Sequence, residues 1–219
     1  KKTFDELLEE QHGSSFDEFT HDADYVPYVD GKPRFDGVAD FLASRDISLP
    51  YGTADDQPSE RTVCGVGNRK NELFRQLVAE GGVEIYETTL TLVDAFRDRG
   101  NPVAVASSSR NCRFVLETTG LIKRFQAVVD GNTSRELGLN GKPAPDIFLT
   151  AAEQVGIDPT QSLVVEDAYA GVEAGRRGNF GLVLGVARSG DRQGLLDRGS
   201  DLVFDDLGET SLAALYQAF

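Results

Sequence analysis

The chain has 219 residues, 22 basic and 36 acidic, for a formal net charge of −14. That length holds one large domain or two unequal ones and can bury a core without disulfide or metal staples. The charge argues against a general nucleic-acid binder, which needs a basic surface to release counterions from phosphates, and against an anionic membrane surface as partner. Cys64 and Cys112 are the only cysteines, and His12 and His21 the only histidines. These are too few for a disulfide framework, a four-cysteine zinc site or a histidine-rich metal centre. The default reading is a reduced, cytoplasmic chain. No apolar run approaches the ~20 residues of a membrane span, and no G-x-S-x-G elbow is present to serve a serine–histidine–acid triad. The sequence contains no methionine, so either a segment precedes Lys1 or methionines have been lost from it.

Taken in chain order, the elements fall into two textures. From Lys1 to about Val83 the chain reads as helices and loops. Phe4, Leu7 and Leu8 sit at helical spacing. Val38, Phe41 and Leu42 predict a helix over Gly37–Arg45. Leu73, Phe74, Leu77 and Val78 predict one over Arg69–Ala79 with those four on a single face. The Pro-, Asp- and Ser-rich stretch Ile47–Thr62 reads as loop. From about Glu84 strands and helices alternate. Leu90, Val93 and Phe96 mark a helix that stops at Gly100, and strands are predicted over Pro102–Ala106, Ala127–Val129, Ser162–Val165, Gly181–Ala187 and Leu202–Phe204. Helices are predicted over Asn111–Thr119 with a left-handed cap at Gly120, over Asp146–Val155 ending at Gly156, and over Gly171–Gly178. This alternation predicts a mostly parallel sheet covered on both faces over residues 84–219, beside a helical region over 1–83.

In such a sheet ligands bind beyond the carboxyl ends of the strands, and polar residues follow the apolar runs there. Ser107-Ser108-Ser109-Arg110-Asn111 follows one strand. It offers a hydroxyl beside helix-opening N–H groups, suited to a phosphate or simply to capping the helix. Glu166-Asp167 follows another, two adjacent carboxylates suited to Mg²⁺ or, for Asp167, to an N-cap. Between them Gly141-Lys142-Pro143-Ala144-Pro145-Asp146 places a lysine among residues held non-helical by two prolines. Pro143 follows the lysine where a P-loop needs Ser or Thr. Gly65-Val66-Gly67-Asn68 is a weak glycine signal, not a dinucleotide fingerprint.

In this order and spacing, ASSSRN, GKPAPDIF and VVEDAYAGVEAG resemble the second, third and fourth motifs of the haloacid dehalogenase superfamily, most closely its β-phosphoglucomutase-like members. The resemblance covers nearly the whole chain. It implies an α/β fold with a Rossmann-like parallel-sheet core, helices on both faces, and a small helical cap formed by residues 1–83. It implies Ser107 as the phosphate-binding hydroxyl, Lys142 as the neutralising lysine, and Glu166 and Asp167 as the Mg²⁺ carboxylates. Ser108, Arg110 and Asn111 join the phosphate-holding group. YVDGKPR resembles the cap segment whose arginine grips a distal phosphate, here Arg34 with Gly31 and Lys32 beside it. GNRKNELF resembles the cap helix with a substrate-facing lysine, here Lys70.

The family's D-x-D-G motif, which carries the nucleophilic aspartate and the general acid/base, is absent between Lys1 and Phe219, and the resemblance puts it just upstream of Lys1. The implied activity is Mg²⁺-dependent phosphoryl transfer on a sugar phosphate through an aspartyl phosphate. The cap residues favour a mutase over a phosphatase of the same fold, and cap closure would keep water from the phosphoryl group. A non-catalytic module that has lost its nucleophile is the reading of another class. The expected partner is a small sugar phosphate, with no nucleic acid and no membrane, and a monomer is the default.

Overall fold

In the computed structural model, which describes residues 1–29, 32–188 and 190–218, the chain forms two compact units, Lys1–Val83 and Glu84–Phe219. The first is helical: α1 (Lys2–His12), a π turn (His21–Tyr25) running into the short α2 (Val26–Tyr28), α3 (Arg34–Ser44) and α4 (Val63–Ala79). Its core joins Phe4, Leu7 and Leu8 of α1 to Val38, Phe41 and Leu42 of α3 and Val63 and Val66 of α4. The rings of Phe4 and Phe41 stand 4.3 Å apart and those of Phe4 and Phe19 4.7 Å, distances at which aromatic pairs attract beyond the area they bury. Asp24 is buried beside this cluster and takes Arg45 Nη2 at 2.7 Å.

Two of these helices begin earlier than the sequence periodicity predicts. Pro33 opens α3, so Arg34 lies in its first turn rather than in a loop, consistent with proline's preset φ at helix starts. Thr62 caps α4, its Oγ1 accepting from Gly65 N at 2.9 Å. The Gly65–Gly67 stretch is therefore helix, where missing side chains let neighbours close in: a Cβ on Gly67 would lie 2.8 Å from Phe35 Cδ1. The expected apolar face of α4 is also corrected. Val78 is buried, but Phe74 is 41% and Leu77 59% exposed, because it is the first turns of α4, through Val63 and Val66, that enter the core.

The second unit runs α5 (Glu87–Asp98), β1 (Ala104–Ala106), α6 (Cys112–Thr118), β2 (Ala127–Val129), α7 (Gly131–Leu137), α8 (Asp146–Val155), β3 (Leu163–Glu166), α9 (Tyr169–Arg177), β4 (Leu182–Val186), α10 (Arg192–Asp197), β5 (Leu202–Phe204) and α11 (Leu212–Ala218). All strand pairings are parallel. β4 is buried along its whole length and shows the period of two expected of a sheet covered twice. Val183 joins one core with α8, α9 and α10, while Leu182, Leu184 and Val186 join another with Leu92 of α5 and Leu212 and Leu215 of α11. One expectation is corrected. The strands pair as two sheets, β1–β2 and β3–β4–β5, rather than one, because among the described residues no strand pairs with both β1 and β3.

Candidate active site

The polar groups of the second unit stand where β1, β2 and β3 end. After β1, Ser107 N continues the ladder to Val129 O at 2.9 Å. Its Oγ accepts from Ser109 N, and Ser109 Oγ accepts from Asn111 N, each at 3.2 Å. The serines thus fold the loop on itself, and Asn111, at the N-cap of α6, makes no side-chain cap bond. The Cys112 thiol, pushed up in pKa by burial, is hydrogen-bonded with Ser107. Arg110 is exposed and donates from Nε to Asn132 Oδ1 at 3.2 Å.

After β2, buried Asp130 caps α7, its Oδ1 accepting from Asn132 N and Thr133 N at 3.0 Å each. Burial alone would raise this carboxyl's pKa, but those N–H donors and the Asn132 side chain outweigh burial and hold it below the ordinary range.

After β3, Glu166 meets Lys142. Lys142 Nζ pairs with Glu166 Oε1, and the two side chains are only 14% and 9% exposed. Three features set this pair. Asp146 at the start of α8 accepts from Asn140 N and Nδ2 at 2.9 Å and fixes the loop that carries Lys142, which contains a cis Lys142–Pro143 peptide. The Lys142 ammonium lies 4.5 Å from the centroid of the Phe148 ring, within cation–π range. Gly171 makes room, since a Cβ there would strike the Glu166 carboxylate. Asp167 behaves differently. It does not cap α9, whose N-cap Ala168 has no side-chain bond. Its carboxylate is 56% exposed and faces Arg188 Nε at 3.6 Å. Arg188 in turn lies over the Tyr86 ring at 3.5 Å from the centroid.

An exposed carboxylate beside a second acidic side chain suits a hard cation that takes oxygen ligands and keeps several waters. Asp167 and Glu166 fit Mg²⁺ in that sense, although among the described residues no third His, Cys, Asp or Glu closes a metal cluster.

In the first unit Arg34 donates from Nη1 to Asn68 Oδ1 at 3.2 Å and from Nη2 to Asn71 Oδ1 at 2.8 Å. These two asparagines were missed at the sequence level; once α4 is seen to begin at Val63, their spacing of three puts them on one face of the helix. Lys70 lies between them in sequence and is half-buried. Burial, and then the neighbouring Arg34 charge, hold its ammonium below the usual lysine range. Among the described residues it has no ion pair. Lys32 is exposed and bonds Asp40 at 2.5 Å, apart from this group. Gly31 lies outside the described residues.

The fold is that of a haloacid dehalogenase-type enzyme. The family model of haloacid dehalogenase-like hydrolases matches residues 2–179, and the chain belongs to that family. It is 46% identical over 215 residues to the β-phosphoglucomutase of Mycobacterium bovis, an alignment covering 95% of this chain and 82% of that protein. Among solved structures it is similar to the β-phosphoglucomutase of Clostridium difficile, with a TM-score of 0.73 and 20% identity over 99% of this chain and 87% of that one. A haloacid dehalogenase family hydrolase of Deinococcus radiodurans, with bound phosphate and sodium, gives a TM-score of 0.69 at 25% identity over 99% of this chain and 87% of that one.

Proposed function

We propose that this chain serves a β-phosphoglucomutase that interconverts β-glucose 1-phosphate and glucose 6-phosphate through a bisphosphate. The observation that carries the reading is the Arg34–Lys70 pair. Two cations are held close together and partly out of water, with the amides of Asn68 and Asn71 bonded to the arginine. Like charges so placed raise one another's cost, and a bound anion relieves it. A mutase needs such a place for the phosphate that is not being transferred; hydrolysis of a monophosphate does not.

In this proposal Ser107, Ser108, Arg110 and Asn111 hold the oxygens of the transferring phosphoryl group, and Lys142 turns from Glu166 toward the same oxygens as they gain charge. Asp167, helped by Glu166, holds Mg²⁺, whose charge when bound offsets that of the phosphoryl oxygens. Arg34 takes the second phosphate bidentately and Lys70 adds a point charge. Lys32, committed to Asp40, has the lesser part. A cytoplasmic monomer with free Cys64 and Cys112 thiols accords with the reading.

Residues 1–219 contain no D-x-D-G motif, so the test has two stages. The coding sequence upstream of Lys1 is read for a strand followed by D-x-D-G, and the protein that includes it is given β-glucose 1-phosphate and Mg²⁺. Formation of glucose 6-phosphate faster than inorganic phosphate supports the mutase. Release of inorganic phosphate without isomer identifies a phosphatase, and a gene without the motif identifies a binding module.

A further inference from the structure

The turn after β2 is built directly against the loop after β1. Gly131 N donates to Ser109 O at 3.2 Å, and a Cβ on Gly131 would collide with the Ser108 carbonyl oxygen. The two backbones therefore touch. Asn132 completes the contact by gripping Arg110 at both ends. Its Nδ2 donates to the Arg110 carbonyl at 2.9 Å, and its Oδ1 accepts from Arg110 Nε at 3.2 Å. The asparagine is itself fixed by Asp130, to which its Nδ2 donates at 3.3 Å and its backbone N at 3.0 Å.

The choice of an amide matters. Among the described residues Arg110 has no carboxylate partner, and Nε is its only donor with a side-chain acceptor. Its Nη1 and Nη2 edge keeps its donors, and that edge can take two oxygens of one phosphate. A carboxylate in place of Asn132 would orient the guanidinium but also neutralise it; an amide orients it and leaves the charge.

We propose that Asn132 is a positioning residue, setting the Arg110 guanidinium so that its free edge meets the phosphate of the substrate. The inference rests on the reading of Arg110 as a phosphate ligand, and the test separates the two. Calorimetric titration of the chain with glucose 6-phosphate at saturating Mg²⁺ is run on Arg110→Ala, Asn132→Ala and the double variant. Arg110→Ala is expected to weaken binding about tenfold, the scale of one charge-assisted contact. Asn132→Ala should weaken it about threefold to tenfold, and the double variant should be no weaker than Arg110→Ala, because the asparagine acts only through the arginine. Asn132→Asp, which keeps an oxygen toward Arg110 Nε but sets a second one against the Arg110 carbonyl and Asp130, should also weaken binding by neutralising Arg110, and circular dichroism with a thermal melt of each variant guards against a folding defect. Additive losses, or wild-type affinity in Asn132→Ala or Asn132→Asp while Arg110→Ala binds weakly, would overturn the role of Asn132. Wild-type affinity in Arg110→Ala would overturn the phosphate-ligand reading beneath it.

Discussion

Lys142 and Lys70 are both withdrawn from solvent, but into opposite surroundings. Lys142, in the second unit, is paired with Glu166 and lies over Phe148, so its charge is balanced before any ligand arrives. Lys70, in the first unit, has Arg34 for its neighbour and no ion pair among the described residues. A balanced lysine costs the fold little and can move its charge to a phosphoryl oxygen as that oxygen becomes more negative. An unbalanced one costs stability at rest and gains it back when an anion binds. The contrast matches a division of labour between a group acting on the phosphate in transfer and a group that recognises a phosphate standing still.

The largest effect should come from breaking the balanced lysine. Lys142→Ala is expected to lower kcat of the nucleophile-bearing protein about 10³-fold, the range for removal of a preorganised electrostatic partner, with a smaller change in KM. Steady-state rates check it, and an unchanged kcat would make the Lys142–Glu166 pair merely structural.

Next is a stability change in the first unit. Arg45→Ala leaves Asp24 uncompensated beside the aromatic core, at a cost of about 3 kcal/mol, measurable by denaturant unfolding. Burial alone would push the Asp24 carboxyl up, but the Thr20 N–H and Arg45 outweigh burial and hold it below the ordinary value of 3.8. A carboxyl with a depressed folded pKa stabilises above its unfolded value and loses that contribution as pH falls through the folded one. The first unit should therefore lose stability as the pH drops below 3.8, and Asp24→Asn should flatten that loss.

Arg34→Ala comes third. It should slow isomer formation about 30-fold, the worth of a bidentate charge-assisted contact, and slow inorganic phosphate release much less. Equal losses in both would dissolve the proposed contrast between the units.

The smallest effect has the opposite sign. Lys70 has a folded pKa below its unfolded one, so between the two values the unfolded chain binds more protons and stability rises with pH. Lys70→Met removes that cost and should raise stability at neutral pH slightly, while weakening phosphate binding, a trade of the kind expected at functional sites. A thermal melt and a titration together check it.

Much of this was legible in the sequence, and the misses have physical causes. Ala127–Val129 and Leu202–Phe204 lie in the structure where the apolar runs put them, because short buried strands of a parallel sheet read as uninterrupted apolar stretches. Asp146–Val155 is likewise the helix expected, closed by left-handed Gly156. α7 escaped notice because GNTSREL carries no apolar stripe; Asp130 holds it from outside by capping. The early start of α4 escaped notice because glycines lower helix propensity, a local cost that close packing against Phe35 and Arg34 overrides. Ser107, Glu166 and Asp167 were visible as polar breaks after apolar runs, and Lys142 as a lysine set between a glycine and two prolines. Asn68, Asn71 and Asn132 were not, since an asparagine in a polar stretch gives no periodic signal and its partner lies far away in the chain.

The central claim is that the basic pair of the first unit recognises a second phosphate. It is tested most directly by the affinity of the chain for β-glucose 1,6-bisphosphate relative to glucose 6-phosphate, measured by calorimetry at fixed salt and Mg²⁺. The account predicts that the bisphosphate binds at least about tenfold more tightly, the scale of one added charge-assisted contact, and that Arg34→Ala abolishes the difference. Equal affinities for the two ligands in the unaltered chain would contradict it.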